Sequence, residues 1–331
     1  MIEQIPGGFR TVSFSLAFIG TLAAGYVIVP FLRRHHIGQT IREDGPESHL
    51  VKNGVPTMGG LIFIIPSTLV LAALSVWDRR ILPALLVTLG FGLVGFVDDM
   101  LKVRRKSKDG LTPLQKTAGI VVFSVLFAVF AAYSPSVGTT VLLPLTGLFK
   151  GVALPVWVYI PFTVLVMYGA SNAVNLTDGV DGLASSVTAL VMIALTAAAA
   201  ISVREDGAVA LTAAFAGGCL GFLAFNAHPA RVFMGDCGSL ALGGAVSAAA
   251  VLMRVHWILL LFGVIYAAEA LSVIIQVFAF KRTGRRVFKM APIHHHFELS
   301  GWSENGIVLA FSAVTLVFCG IGLWLLFGRV F

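Results

Sequence analysis

Two adjacent aspartates, Asp98 and Asp99, end a long apolar run in the string FVDDMLKVRRK, residues 96–106. Acidic residues are scarce, with 16 Asp and Glu against 23 Lys and Arg. Lys102 lies four residues after Asp98 and three after Asp99, so on a helix it shares a side with both. Adjacent helix positions point about 100° apart, so the two carboxylates cannot aim at one ligand atom. This pattern is typical of a site that binds charged groups, but it is also typical of a helix end whose charges are only solvated.

A second string, GASNAVNLTDGVDGLAS at residues 169–185, repeats polar groups at every third residue. Asn175, Asp178 and Asp181 lie near one face of a helical turn at this spacing. The glycines between them let a backbone approach a ligand closely. The spacing does not match an EF-hand calcium loop. Ordinary turn and N-cap hydrogen bonding is the alternative interpretation, above all for Asp178.

A third string, FNAHPARVFMGDCGS at residues 225–239, places Asp236 among small residues where a helix is predicted to begin. Magnesium in phosphate sites prefers one or two carboxylates together with the substrate's own oxygens. Asp236 is therefore the best single candidate for a metal ligand. Capping of the helix by Asp236 or Ser239 is the alternative.

Two more polar strings carry a single acidic residue each. GPESHLVKNGVPTMGG offers Lys52, Thr57 and a glycine pair, as a loop closing over a phosphate would, although it is not a Walker A sequence. FKMAPIHHHFELSGW carries three adjacent histidines in a basic loop. Successive side chains diverge, so these histidines suit phosphate oxygens better than one zinc ion. A solvated polar loop is the alternative for the histidine string.

Glu269 falls inside an apolar run, near Ser272 and Gln276. An ionisable residue inside a membrane segment is a functional candidate by default. A protonated or hydrogen-bonded packing residue is an equal alternative, and we do not place Glu269 at the chemical centre.

The elements that must position these residues are membrane helices. The chain is 57% hydrophobic and 12% charged, with a mean hydropathy of +0.92, which excludes an ordinary soluble protein. A spanning helix needs roughly 20 apolar residues. About ten runs qualify, which predicts an all-α polytopic integral membrane protein; they lie near 11–32, 58–76, 81–101, 117–134, 152–171, 183–203, 207–226, 238–254, 257–280 and 306–328.

Lys and Arg set the orientation, because basic residues favour the cytoplasmic side. Most of the 23 basic residues fall on one side if both termini are extracytoplasmic. The net charge of +7 is then a topology signal, and nucleic-acid binding is not expected. We expect one transmembrane catalytic domain over residues 1–331, a small hairpin in the outer connection near 134–151, and cytoplasmic active-site loops near 33–57, 98–117, 171–182, 226–239 and 281–305.

Together, the five strings resemble those of the phospho-N-acetylmuramoyl-pentapeptide transferase family, within the polyprenyl-phosphate N-acetylhexosamine-1-phosphate transferases. The match runs from about Arg42 to Trp302 in the order DGPESH, PTMGG, GFVDD, N-x-TDG-x-DGL, VFMGD-x-GS and MAPIHHHFEL. The resemblance implies a ten-helix enzyme, as a homodimer in the bacterial cytoplasmic membrane with its site facing the cytoplasm. It would use Mg²⁺ to transfer phospho-MurNAc-pentapeptide from UDP-MurNAc-pentapeptide to undecaprenyl phosphate, a membrane lipid. The by-product would be UMP.

The resemblance also implies roles for individual residues. Asp236 would hold magnesium, and phosphates would be held by Lys102, Lys116, His294, His295 and His296. The nucleotide would be bound by Lys52, Thr57, Asn175, Asp178, Asp181, Asn226 and Phe233. Asp98 would orient the lipid phosphate and act as base, with Asp99 in support.

Two kinetic schemes are open, a covalent phospho-aspartate and direct attack by the lipid phosphate. A phosphate monoester has a second pKa near 6 and is largely dianionic at neutral pH, so direct attack is favoured.

Two rival functions remain at this stage. A sister enzyme that uses UDP-GlcNAc would share the chemistry, although the MAPIHHHFEL string argues against it. A transporter with Glu269 on its path is the rival from another class, but the chain has no evident internal repeat, and its acids cluster on one face.

Overall fold

The computed structural model is an almost entirely helical assembly and describes residues 8–35, 37–38, 54–75, 78–107, 109–143, 151–200 and 206–327. Its helices are α1 Gly8–Arg34, α2 Leu61–Leu74, α3 Ile81–Arg105, α4 Pro113–Tyr133, α5 Val156–Thr177, α6 Leu183–Ala198, α7 Asp206–Asn226, α8 Gly235–Leu252, α9 Ile258–Phe262, α10 Val264–Thr283, α11 Ile293–Glu298 and α12 Glu304–Phe327. Two short strands, β1 Thr140–Leu142 and β2 Gly151–Ala153, complete the described elements.

Eight of these helices are long and apolar enough to cross a membrane. The apolar helices α2 and α6 are shorter, at 14 and 16 residues. Nine of the ten predicted runs coincide with one helix each and the run near 257–280 covers α9 and α10, which confirms the all-α polytopic fold class. The run predicted near 58–76 starts before α2, because Met58 has a φ of +65° and the amides of Gly59 and Gly60 donate to the carbonyls of Phe233 and Met234. The extracytoplasmic placement of both termini stays a prediction.

Helix α8 forms the centre of the assembly. Every residue from Cys237 to Leu252 is buried, whereas large apolar side chains on α1, α5, α10 and α12 are exposed, as lipid contact requires. Because Asp236 lies in the first turn of α8, it stands at one end of the most protected helix. A negative charge there is favoured by the helix dipole.

Small residues bring the central helices into close contact. The small-residue sequences GGCLG at 217–221 and ALGGA at 241–245 indicate such contact. Gly243 of α8 lies so near Ser171 of α5 that an added Cβ would overlap the Ser171 backbone. Gly217 of α7 is equally close to the Phe14 backbone of α1. Such contacts are a usual source of helix association in lipid, where no hydrophobic driving force acts between helices.

The predicted outer hairpin is present as the antiparallel pair β1–β2, with Val141 opposite Val152. The amide of Leu142 donates to the carbonyl of Arg254 at 2.9 Å, which fixes the hairpin to the connection after α8. Tyr133 and Trp157, at the helix ends beside it, are exposed. Aromatic residues favour the membrane–water interface, so this end of the helices suits one membrane surface.

The opposite end holds the described parts of the five strings, and two structural features position them there. A Cβ added at Gly95 of α3 would overlap the backbone of Asp236, so α3 and the start of α8 meet without a side chain between them. Helix α4 begins with a capping box, in which the side chains of Thr112 and Gln115 each accept the other's backbone amide. This cap places Lys116 on the first turn of α4.

The α5–α8 contact predicts that Gly243→Ala destabilises the protein. A methyl group there would force the helices apart, and overpacking of a close contact typically costs about 1–3 kcal/mol. We expect a lower thermal unfolding temperature in detergent. Gly169→Ala is the matched control on α5, since nothing lies within 4 Å of a Cβ at that position. Equal unfolding temperatures of the two variants would contradict this account of the contact.

Candidate active site

Three carboxylates converge where α3 ends and α8 begins. Asp98, Asp99 and Asp236 each offer an oxygen within 4.8 Å of the others. The expectation that adjacent carboxylates cannot aim at one ligand atom is therefore wrong, because both turn an oxygen toward Asp236. Their hydrogen-bond partners nevertheless differ. Asp98 Oδ1 accepts the Leu111 amide at 2.7 Å, and Asp99 Oδ2 accepts the Cys237 amide at 3.0 Å. The cluster thus lies between two helices and the loop before α4.

Two lysines neutralise most of this negative charge. Lys102 Nζ lies 2.6 Å from Asp98 Oδ2 and 2.9 Å from Asp236 Oδ2. Lys116 Nζ lies 3.1 Å from the same Asp236 oxygen. Three carboxylates against two ammonium groups leave one formal negative charge, which favours a cation at the cluster.

Asn175 connects the second string to this cluster. Its Nδ2 donates to Asp236 Oδ1 and to Ser239 Oγ, both at 2.8 Å, and its Oδ1 accepts from Lys116 Nζ at 3.2 Å. In the ligand-free protein the Asn175 side chain therefore braces Asp236. Ser239 Oγ donates back to the Gly235 carbonyl, and the cap of α8 has no side-chain hydrogen bond. Helix capping does not explain Asp236 or Ser239.

Thr57 brings the fourth string to the same place. Its side chain is buried, and Oγ1 has no hydrogen-bond partner within the part of the chain that the structure describes. Gly235 has a φ of +73°, and a Cβ there would lie 2.6 Å from Asp99 Oδ2 and 2.9 Å from Thr57 Oγ1. Glycine is thus required for both its conformation and its space. Lys52 lies outside the described residues.

Asp236 is the carboxylate that solvent reaches. Its side chain is 18% exposed, against 4% for Asp98, and Asp99 is fully buried. The three carboxylates form an all-oxygen donor set, which is the kind that Mg²⁺ prefers. The residues present therefore fit a magnesium ion, with Asp236 as the ligand nearest to solvent.

Asp178 ends α5 and lies beside the cluster. Its pKa is raised well above the usual value, first because burial disfavours the charged form, and then because Asp236, Asp99 and Asp181 add negative charge. The amide of Gly235 opposes this rise through a hydrogen bond. Burial and the neighbouring negative charges therefore both push Asp178 toward its neutral form.

Asp181 and Asn226 fasten the second string to the third. Asp181 Oδ2 accepts the Ala230 amide at 3.0 Å and lies 3.2 Å from His228 Nδ1. Asn226 accepts from Ser185 Oγ at 2.8 Å and donates to the Val232 carbonyl at 3.1 Å.

These contacts hold the loop before α8, where the Phe233 amide donates to the Pro56 carbonyl at 2.8 Å. The first four strings are thus joined to one another by hydrogen bonds through their described residues. The nucleotide-binding roles of Asp181, Asn226 and Phe233 stay predictions.

The three histidines have different hydrogen-bond partners, but the expected divergence of all three side chains is wrong for the first two: the rings of His294 and His295 lie 4.1 Å apart, centroid to centroid. His294 is buried and its Nδ1 lies 3.1 Å from Glu269 Oε1. His295 Nδ1 lies 2.7 Å from Glu298 Oε2, while His296 Nδ1 accepts the amide of Lys289 at 3.1 Å. The helix α11 therefore gives each imidazole a different partner. Their phosphate-binding roles stay predictions.

Sequence reasoning missed three participants. Gly110 and Leu111 hold Asp98, and a Cβ at Gly110 would overlap its carboxylate. Glu304, at the start of α12, accepts the Asp181 amide at 3.2 Å. Gly110 was the one sequence signal for the loop that holds Asp98. Nothing in the sequence near Glu304 indicates its contact with Asp181.

Comparisons with known proteins identify the family. The model of the glycosyl transferase family 4 matches residues 81–254, which include the carboxylate cluster and both lysines. A phospho-N-acetylmuramoyl-pentapeptide-transferase of Acetivibrio thermocellus is 52% identical, over 95% of this chain and 94% of the relative. Proteins of the same name from Pelotomaculum thermopropionicum and Carboxydothermus hydrogenoformans are 49% and 47% identical, over 94% and 91% of this chain and 96% and 94% of theirs. At this identity and coverage, the chain belongs to the phospho-N-acetylmuramoyl-pentapeptide transferase family.

Proposed function

We propose that this protein transfers phospho-MurNAc-pentapeptide from UDP-MurNAc-pentapeptide to undecaprenyl phosphate. The products are UMP and the first lipid-linked precursor of peptidoglycan. The observation that carries the proposal is the cluster of Asp98, Asp99 and Asp236 with Lys102 and Lys116 at one end of the membrane helices. The names of the relatives supply the transferred group, phospho-N-acetylmuramoyl-pentapeptide, and the family resemblance of the sequence supplies UDP and undecaprenyl phosphate.

The position of the cluster suits a reaction between a lipid and a water-soluble nucleotide. The apolar helices place a polyprenyl chain in the bilayer, and its phosphate would meet the cluster at the membrane edge. The excess of Lys and Arg near this end favours the cytoplasmic side of the bacterial cytoplasmic membrane. The domain proposed for residues 1–331 is a single catalytic unit. It acts as a homodimer, which light scattering of the purified protein would test.

In the reaction, an oxygen of the lipid phosphate forms a bond to the sugar-linked phosphorus of the donor. The bond from that phosphorus to the oxygen bridging to UMP breaks, and UMP leaves with that oxygen. Positioning and charge neutralisation are most of the catalytic task in phosphoryl transfer. Lys102 and Lys116, already within 3.1 Å of Asp236, would hold the anionic oxygens in place.

Asp236 would hold magnesium, with Asp98 and Asp99 close enough to contribute. When bound, Mg²⁺ supplies positive charge that polarises the diphosphate and stabilises the leaving phosphate. The cluster carries one formal negative charge before the ion binds, and this charge repels an anionic diphosphate. A bound cation removes this repulsion, so cation binding and substrate binding favour each other.

Contacts of the two adjacent aspartates support direct attack by the lipid phosphate. Both oxygens of Asp98 are engaged, one by Lys102 and one by the Leu111 amide. Asp99 is fully buried and accepts the Cys237 amide. A carboxylate held in this way is a poor candidate for a covalent phosphoacyl intermediate, but it is well placed to orient a neighbouring phosphate.

UMP release by the purified protein in detergent tests the function itself. We expect release that needs magnesium, undecaprenyl phosphate and UDP-MurNAc-pentapeptide, and a loss of about 100-fold or more in Asp236→Asn, as when one group stabilising transition-state charge is removed. Release from UDP-GlcNAc alone would assign the protein to the sister reaction. Folded protein that releases no UMP from either donor would refute the proposal.

Asp98→Asn tests the role of the aspartate pair. We expect turnover to fall by about 100-fold or more, because an orienting base is lost, while donor affinity measured by calorimetry without lipid stays unchanged. Asp109→Asn, an exposed position in the loop that follows α3, is the matched control. A phosphorylated aspartate trapped in a single turnover without lipid phosphate would overturn the direct mechanism.

The raised pKa of Asp178 predicts that the stability of the protein depends on pH. The folded carboxyl binds its proton more tightly than the unfolded one, whose pKa is near 3.8. Its contribution to stability is therefore present at low pH and is lost as the pH rises through the raised folded value. We expect the thermal unfolding temperature of the wild type to fall relative to Asp178→Asn as the pH increases.

Asp78→Asn is a control of opposite sign. Burial raises the pKa of Asp78, but hydrogen bonds and the charge of Arg80, 2.7 Å away, outweigh it and lower the pKa overall. Its stabilisation is present above the unfolded pKa and is lost as the pH falls. The wild type should gain stability over Asp78→Asn as the pH rises. The same slope in both variants would contradict the assignment of Asp178.

A further inference from the structure

A buried glutamate on a spanning helix contacts the first histidine of the basic loop. Glu269 of α10 is fully buried and His294 of α11 is 1% exposed. His294 Nδ1 lies 3.1 Å from Glu269 Oε1, and the His294 backbone amide donates to Glu269 Oε2 at 3.5 Å. Both oxygens of the carboxylate therefore face one residue.

This contact determines which ring nitrogen is protonated. An ionised carboxylate only accepts hydrogen bonds, so Nδ1 of His294 must carry a proton to pair with Glu269. The other ring nitrogen, Nε2, is then the atom that remains for a further partner. In metal and catalytic sites, a carboxylate that contacts one imidazole nitrogen commonly fixes the tautomer and the ring orientation in this way.

The free nitrogen faces the second string. His294 Nε2 is buried and has no hydrogen-bond partner among the residues described. It lies against Gly179, where an added Cβ would overlap the imidazole. A buried polar atom without a partner is costly and calls for an explanation. Gly179 directly follows Asp178, which lies beside the carboxylate cluster.

The neighbouring histidine shows that this arrangement is particular to His294. His295 pairs with Glu298 three residues away in the same short helix, which is a local contact. The pair of Glu269 and His294 joins a spanning helix to a loop helix 25 residues further along the chain. It therefore fixes the position of α11 as well as the orientation of one ring.

We propose that Glu269 is a positioning residue for His294. It keeps the proton on Nδ1 and holds the ring so that Nε2 is presented at the turn of Asp178 and Gly179. There the bound donor nucleotide supplies the partner that Nε2 lacks. The inference rests on the proposed function for the identity of that donor, but the geometry of the pair does not depend on it.

Glu269→Gln tests the proposal, because glutamine keeps the size of the side chain but both donates and accepts, and so no longer selects the tautomer. We expect UMP release to fall about 10–100-fold, as is usual when the partner of a functional imidazole is removed. Glu269→Asp, which keeps a carboxylate, should recover part of the loss. Tyr266→Phe, which removes a buried hydrogen bond to Thr188 one turn earlier on α10, is the matched control and should keep wild-type turnover.

A double variant separates positioning from a general structural role. If Glu269 acts through His294, then Glu269→Gln combined with His294→Gln should be no slower than His294→Gln alone. Losses that multiply in the double variant would overturn the proposal, as would full turnover in Glu269→Gln.

The ligand-free protein gives a readout that does not depend on turnover. Nitrogen NMR of ¹⁵N-histidine-labelled protein, with the His294 signals assigned by their loss in His294→Gln, should show Nδ1 protonated in the wild type and mixed tautomers in Glu269→Gln. An unprotonated Nδ1 in the wild type would overturn the inference even if the enzyme is active. Protonated Nδ1 in a protein that releases no UMP would support the pair and refute the proposed function.

Discussion

The carboxylate of Asp236 joins the helices that form the site. It accepts hydrogen bonds or ion pairs from Lys102 of α3, Lys116 of α4 and Asn175 of α5, all within 3.1 Å, while it lies in the first turn of α8. Four helices thus meet at one charged group. A carboxylate at the end of a buried helix would be costly alone, and it is stable here because each oxygen has a partner and the helix dipole is favourable.

The same interaction explains why small residues matter around the cluster. Charged groups can meet across helices only if the backbones come close, and Gly95, Gly110 and Gly235 remove the side chains that would prevent this. The central helix α8 is also held closely against α5 through Gly243. Packing of the apolar helices and the geometry of the polar site therefore depend on each other. The glycines let the backbones come close, and the charged contacts stabilise that close approach.

Much of this organisation could be predicted from the sequence, because it depends on local properties. The lengths of the apolar runs predicted all eight described helices that are long and apolar enough to cross a membrane. The four-residue spacing of Asp98 and Lys102 predicted that these two side chains pair. The contacts of Asn175 with Asp236 and of Glu269 with His294 could not be predicted. They join residues distant in the sequence, and no local pattern encodes which helices become neighbours. Where α2 begins is likewise set by tertiary hydrogen bonds rather than by hydropathy.

The position of Glu269 also decides between catalysis and transport. A carboxylate on a transport path must exchange partners with the moving solute, so it needs access to a polar passage. Glu269 is fully buried, and both its oxygens face His294 in a loop helix at the polar end of the assembly. Its carboxyl group is thus engaged in holding the loop helix, whose His294 lies against Gly179. The contacts of Glu269 therefore favour a role in supporting the loop helix over a place on a transport path.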